Sequence, residues 1–569
     1  MMRRKISAFC LLFLLSYQMS NCRSLQKDLN SSLKTDQNAF PPQLEAKLME
    51  THAEFLTAGA YLSDKVSREN GTVDRTAWEG MLPTYQSFTA EEKSVIEEHL
   101  RAIAAESKKT SDARSLLGLD SIRNQEAELK NFCSTVPKGG MLHIHPWGTV
   151  DQATLEEILA KVNPKFDLKV LIANLQTGGA FGRLYPDEMK FLGSLSKKYA
   201  VSDAPEYKCN TKAPQPSPDE SCPTYNALSN EEKDQIKRLY FLPKAKHEGV
   251  PRFDRFLGSF TITSATVFQS RKNVDPEKIM YDAFFKRAKN LGVSYVEITQ
   301  FLGRDYGGKK WLPSLNEWAD QIQSQFGITA KLLAAYTRAK EPEDIRKSTL
   351  QMFERLKADL PLSSSGQASV LVGVNLLADE TTNPALEKGQ TLYPLVRDLR
   401  DSRPLGMSMH AGELGDVRNV RDAIIMGVDR VGHGVKLRED VVTLELARRY
   451  SSHLGIETNI MSNVLLDVVP DVRSHPFLEY LRLGFAVSFS TDDEGMFEST
   501  IADECMLAVK ETNINYCELQ KAASNSIKSS FASAEEKAKL LNGLRTDFAA
   551  FEAKWSNLKR DNPKAASCL

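Results

Sequence analysis

Gly406-Met407-Ser408-Met409-His410-Ala411-Gly412-Glu413 is the stretch on which the fold turns. Gly406 to His410 reads as a short buried strand that ends on a histidine. A glutamate follows three residues later, in a loop. Seven further strand candidates flank it: Met141–His145, Val293–Thr299, Ile328–Ala335, Ser369–Leu376, Arg430–His433, His453–Thr458 and Phe485–Ser490. Most connections are long enough for a crossover helix, and Val417–Met426 supplies one between the fifth and sixth strands. Eight such units predict a (β/α)8 TIM-type barrel. No repeat of 20–50 residues is evident.

The barrel accounts for part of the 569 residues. At 41 % hydrophobic and 26 % charged, with net charge −1, the composition is that of a globular protein. It gives no electrostatic reason to expect nucleic acid or an anionic membrane as partner. Arg3, Arg4 and Lys5 precede the apolar run Ile6–Leu15, so residues 1–22 read as a secretory signal too short to span a bilayer. No integral membrane segment is expected in the mature chain, and its place is secreted or periplasmic. A lipid on Cys22 ranks below simple export, because Asn21 suits that cleavage poorly. Residues 23–40 read as a flexible leader.

Residues 41–135 read as helical. Leu44, Leu48, Phe55 and Leu62 share one helix face, and Thr89-Ala90-Glu91-Glu92 looks like a helix start. This region either packs on the main domain or pairs two copies into a homodimer. The barrel domain then spans 136–569, interrupted after its first strand by a loop-rich insert at about 160–250, where Pro205, Pro214, Pro216, Pro218 and Pro223 cluster. None of the eight cysteines forms a CxxC pair. Cys209 and Cys222 are expected to form a local disulfide worth roughly 3 kcal/mol. Asn30-Ser31-Ser32 and Asn70-Gly71-Thr72 match glycosylation sequons, meaningful only in a eukaryotic secretory route.

Four of the nine histidines fall at predicted strand ends. His143 and His145 are two apart on a strand and so share a face. His410 ends the fifth strand and Asp492 the eighth. Three imidazoles and a carboxylate suit one Zn²⁺ per chain and leave a position for water. Such a metal brings the pKa of bound water toward ~7. Glu413 is the candidate for proton transfer to substrate. His433, between Gly432 and Gly434, would orient or deprotonate the attacking water, and Asp493 would hold that water from the other side. His475, before Pro476, reads as structural, capping a helix or bonding to backbone. His52, His99, His247 and His453 have no ligand context.

These residues resemble the adenosine and AMP deaminase superfamily, most closely its secreted adenosine deaminase-related growth factor branch. The resemblance is carried by Val136–His145, Met409–Glu413, Arg430–Gly434, Ser462-Asn463 with His475-Pro476, and Ser490–Asp493. It implies zinc bound by His143, His145, His410 and Asp492, Glu413 protonating purine N1, and His433 and Asp493 positioning hydroxide for attack at C6. Ammonia and inosine would be the products. The branch also implies a helical dimerisation region and a disulfide-bearing insert. Departures fall on substrate contacts. Trp147 stands where an Asp that contacts ribose is usual, and either stacks on the substrate or plugs under the insert. Ala378 replaces a glycine beside Asp379, Glu494 a proline, and Asn459-Ile460 a Cys-Pro pair. Trp147, Ala378 and Asp379 are the candidate substrate contacts.

The expected activity is an exported zinc-dependent deaminase of adenosine or 2′-deoxyadenosine, a hydrolase of purine nucleosides. A deaminase of adenine or a modified nucleoside, and a non-catalytic nucleoside-binding or signalling protein, are the alternatives. AMP is disfavoured because no basic cluster near the motifs suggests a phosphate cradle. A pure binder has no need of Glu413 or Asp493, so the full polar set argues for catalysis.

Overall fold

A computed structural model describes residues 40–178, 182–199, 222–245, 249–266, 275–301, 311–359, 370–399, 405–451, 453–560 and 567–569. Eight parallel strands follow one another in chain order: β1 Gly139–Met141, β2 Val293–Gln300, β3 Thr329–Thr337, β4 Leu371–Leu377, β5 Gly406–Ala411, β6 Arg430–His433, β7 Gly455–Thr458 and β8 Ala486–Phe489. Helices between them pack outside, so the strands are buried on both faces and read as near-continuous apolar runs. This is a (β/α)8 barrel, as the strand pattern predicts.

The barrel closes through side chains and single bonds rather than a full ladder. The expected first strand, Met141–His145, therefore starts earlier and ends earlier. Beyond Met141 the Leu142 and His143 amides donate to Ser490 Oγ. Only Ile144 bridges Asp492, with the His145 amide donating to the Asp492 carbonyl and the Asp492 amide to the His143 carbonyl. For the same reason β8 stops at Phe489, and Asp492 lies past its end rather than on it. Cys133 and Cys505, just outside this junction, form a disulfide, and Cys517 pairs with Cys568. Neither pairing was expected from spacing. Cys222 is disulfide-bonded, and its expected partner Cys209 lies outside the described residues.

Helices Pro42–Ser67 and Ala90–Arg114 cross the outside of the barrel. Leu44, Leu48, Phe55 and Leu62 are all buried. Thr89 and Glu92 make the reciprocal capping pair expected at the second helix start. Trp78 Nε1 and Arg75 donate to Asp422 on helix Arg418–Met426, and Arg421 of that helix pairs with Glu79. This region is thus fastened to the barrel wall. The described parts of 160–250, expected to be a loop-rich insert, form helices, among them Leu168–Thr177, Pro186–Lys198 and Asn230–Arg238. The next helix, Arg252–Thr266, carries Phe256, which stacks on Phe497 in the loop after β8. Leu242, Leu466 and Met496 complete this small apolar cluster at the mouth of the barrel. Residues 1–39 and the Pro-rich 200–221 lie outside the described residues, as does His247.

Candidate active site

His143, His145, His410 and Asp492 converge at the C-terminal mouth, each offering a ligand atom within 4.8 Å of the others. Asp492 Oδ1 is 3.3 Å from His143 Nε2 and 3.2 Å from His145 Nε2, and His410 Nε2 is 3.3 Å from His145 Nε2. His433, Glu413 and the second Asp492 oxygen form an adjoining group, with His433 Nε2 3.7 Å from Glu413 Oε2. His433 and Asp492 both adopt left-handed backbone, with φ of 63° and 59°. Such strain concentrates where side chains must be re-aimed at a site.

The orientation of the rings comes from below. His143 Nδ1 donates to Glu457 Oε2 at 2.7 Å, so its Nε2 lone pair faces the cluster. Glu457 Oε1 in turn accepts from Arg430 and Ser408. His410 Nδ1 donates to the Asn375 amide oxygen at 3.1 Å. Arg338, fully buried, donates to the His410 carbonyl. The Gly412 and Glu413 amides both donate to the Glu380 carboxylate, at 2.8 and 3.0 Å, which fixes the loop that carries Glu413. On the far side Ser462 Oγ donates to Asp492 Oδ2 at 2.8 Å.

Asp493 sits beside Gly148. A Cβ on Gly148 would lie 1.6 Å from Asp493 Oδ1, so no other residue fits there. The Gly495 and Met496 amides donate to the Gly148 carbonyl. Arg287 joins the same two loops by bonding Glu494, Asp151 and the Thr149 carbonyl. Glu494 therefore stands at its position as half of an ion pair. Trp147, in the turn Pro146–Thr149, is half-buried against the main core. Ala378 follows β4 with φ of 89°, a conformation that favours glycine. The Asp379 carboxylate is engaged by its own turn, accepting from Thr381 and Thr382. His52 stacks on Tyr450 and His99 meets Phe40 edge-on, away from the cluster.

Burial drives the electrostatics. It raises Glu413 well above the ordinary carboxyl range, with Asp492 and Glu380 adding to the effect. Burial and then Asp492 raise Asp493 as well. Burial opposes ionisation of Asp492, but the facing imidazoles of His143 and His145 outweigh it and hold Asp492 well below its usual value. Burial also opposes charge on His143, yet Asp492 and Glu457 raise its pKa to about 10, and a cation bound at Nε2 would displace that second proton. His410 is pushed well down by burial and by neighbouring imidazoles.

The cluster fits a divalent cation. Its donors are three imidazoles and one carboxylate. His143 Nε2 and His433 Nε2 are buried without a hydrogen-bond partner, as is Asp493 Oδ1, and buried orphans of this kind mark a place for an ion or water.

A family model described as adenosine deaminase matches residues 239–547, and the chain belongs to that family. The chain is thus a metal-dependent hydrolytic deaminase. The match holds His410, Glu413, His433, Asp492 and Asp493. The fold adds His143 and His145 from outside the matched segment. An adenosine deaminase from Shewanella halifaxensis is 26 % identical over 320 residues, covering 55 % of this chain and 88 % of its own length. An adenine deaminase from Cupriavidus taiwanensis is 28 % identical over 222 residues, covering 39 % and 58 %. The crystal structure of an adenine deaminase from Arthrobacter aurescens aligns with 73 % of this chain and 100 % of its own at 20 % identity, with a TM-score of 0.49.

Proposed function

We propose that this chain is an exported deaminase of adenosine or 2′-deoxyadenosine that works with one Zn²⁺. The observation that carries the reading is the convergence of seven polar side chains at one barrel mouth: His143, His145, His410 and Asp492 as ligands, with Glu413, His433 and Asp493 beside them. A cation held there supplies Lewis acidity and brings the pKa of a water toward ~7. Burial favours the protonated form of Glu413, the form that a general acid for purine N1 needs. His433 and Asp493 flank the oxygen that attacks C6. Water and the aminopurine then give the oxopurine and ammonia.

Trp147, Ala378 and Asp379 border the substrate in this proposal. The adenine deaminase relative and the strained Ala378 favour a second reading, a deaminase of free adenine or of a modified nucleoside. Export is supported by Arg3-Arg4-Lys5 ahead of Ile6–Leu15 and by disulfides, which persist in oxidising compartments. Among the described residues no helix is long and apolar enough to cross a membrane.

The test compares adenosine, 2′-deoxyadenosine, adenine and AMP by kcat/KM, with metal content measured on the same preparation. The nucleosides should be the best substrates. A higher kcat/KM for adenine selects the second reading. Metal-loaded protein that turns over no aminopurine overturns both.

A further inference from the structure

His475 and Asn463 lie outside the roles given above, although both belong to motifs that the sequence singles out. They lead directly to His433. The chain of bonds starts at a group whose direction is beyond choice. Pro476 has no N–H, so the first free amide of helix Phe477–Arg482 is that of Phe477. That amide donates to His475 Nδ1 at 3.2 Å. A ring nitrogen that accepts carries no proton, so His475 is neutral with its hydrogen on Nε2. His475 Nε2 lies 3.0 Å from Asn463 Oδ1 and donates to it. This contact also fixes which end of the Asn463 amide is oxygen. Asn463 Nδ2 then faces His433 Nδ1 at 2.9 Å, with Asn459 Nδ2 at 3.5 Å from the same atom.

We infer that His475 and Asn463 form a proton-ordered relay that fixes His433 as its Nε2–H tautomer, so that His433 meets the attacking oxygen as a hydrogen-bond donor and not as its base. The inference rests on the deaminase reading, in which His433 borders that oxygen. A proton on His433 Nδ1 would point at the Asn463 N–H donor, whose direction His475 fixes, which rules against both the imidazolium and the other tautomer. Asn459 and Asn463 are fully buried, and His433 and His475 nearly so. At the far end His433 Nε2 has no hydrogen-bond partner and faces Glu413 and Asp492 at 3.7 and 4.0 Å. The water's proton would then pass to Asp493, which flanks that oxygen on the other side. Asn463 and Ser462 sit on one helix, Ile460–Leu465, so one short element orients both His433 and Asp492.

Asn463→Asp tests the relay with an isosteric change. The carboxylate still accepts from His475, but toward His433 it accepts as well and so demands a proton on Nδ1. Bound metal and KM should stay near wild type, while kcat falls by roughly 10²–10⁴-fold, the scale of a wrong imidazole tautomer. Metal-replete Asn463→Asp with kcat within threefold of wild type overturns the relay and leaves the deaminase reading standing. Wild-type protein that turns over no aminopurine overturns the reading and the relay together. A second pair decides the matter should Asn463→Asp fail to fold. His475→Gln keeps an N–H donor to Asn463 and should stay within ~10-fold of wild type, whereas His475→Leu should lose far more; equal kcat for the two overturns the relay. A direct readout needs no turnover. In protein labelled with ¹⁵N-histidine, the His433 pair, identified by its loss in His433→Gln, should show an unprotonated Nδ1 and a protonated Nε2. The reverse assignment overturns the relay.

Discussion

Strand β6 begins with Arg430 and ends with His433, and its two ends lie in opposite surroundings. At the start, Arg430 is 2.5 Å from Glu297 and 2.5 Å from Glu457, donates to the Ser529 carbonyl and covers the Phe531 ring. Glu297 also accepts from Tyr295 and from the Phe531 amide. Every polar side-chain atom of Arg430, Glu297 and Glu457 has a partner. At the other end, His433 Nε2, His143 Nε2 and Asp493 Oδ1 are as deeply buried and have no hydrogen-bond partner. Unmatched buried polar atoms cost about 1–3 kcal/mol each, so a fold keeps them only where something else will meet them. The matched layer holds the unmatched one in place, with Glu457 as the link through His143.

Breaking the unmatched end should leave the fold and abolish the chemistry. His410→Ala is expected to lose most of its metal and at least ~10³-fold in kcat/KM, because the water is no longer activated. Metal analysis and kinetics read this, and thermal unfolding of the metal-free proteins should differ little. Glu413→Gln keeps the ligands and removes the acid, so metal stays bound while kcat falls roughly 10²–10⁴-fold. Breaking the matched end should do the reverse. Arg430→Met strands Glu297 and Glu457 in the interior and should cost about 3–5 kcal/mol in urea unfolding.

A smaller effect depends on pH. Burial pushes Glu504 up to about 8 while it accepts from the Ile460 and Met461 amides. An acid raised on folding supports the folded state fully below its unfolded pKa of ~4.3 and loses that support as pH rises through its folded value. Stability should therefore fall from about pH 4.5 to 8, by up to ~4 kcal/mol from this group, and Glu504→Gln should flatten that slope. The smallest effect is at the mouth. Ala378→Gly relieves a positive φ and should raise stability by about 1 kcal/mol, and an unchanged midpoint would show the strain is taken up elsewhere.

Much of this was legible in the chain because the strands are buried on both sides. Apolar runs such as Ser369–Leu376 can hardly be anything else between helices, and β2 to β8 lie close to their expected positions. The HxH pair, His410, His433 and Asp492 stood out because a histidine or aspartate ending such a run has few structural uses. The seam was less legible, since Ser490 replaces ladder bonds with a side chain. The support of the site was read least. Glu457 interrupts the seventh strand with a charge, a signal that could have marked a buried partner. Glu380 and Arg338 look like surface residues in sequence, because their partners are backbone atoms of a distant loop. The order of protons through His475 depends on the direction of one amide, which no spacing encodes. The Cys133–Cys505 pair spans 372 residues and carries no local pattern.

The seam between β1 and β8 also bears on how the protein is made. His143 and His145 leave the ribosome long before Asp492, and the helices and insert must be accommodated between them. Contacts so distant in sequence form late and slowly. A cation gripped by His143, His145 and Asp492 would act as a clasp across the last joint to close, with the Cys133–Cys505 bond as its covalent counterpart a few residues outward. A chain short of metal would then be loosest along the edge where its first and last strands meet.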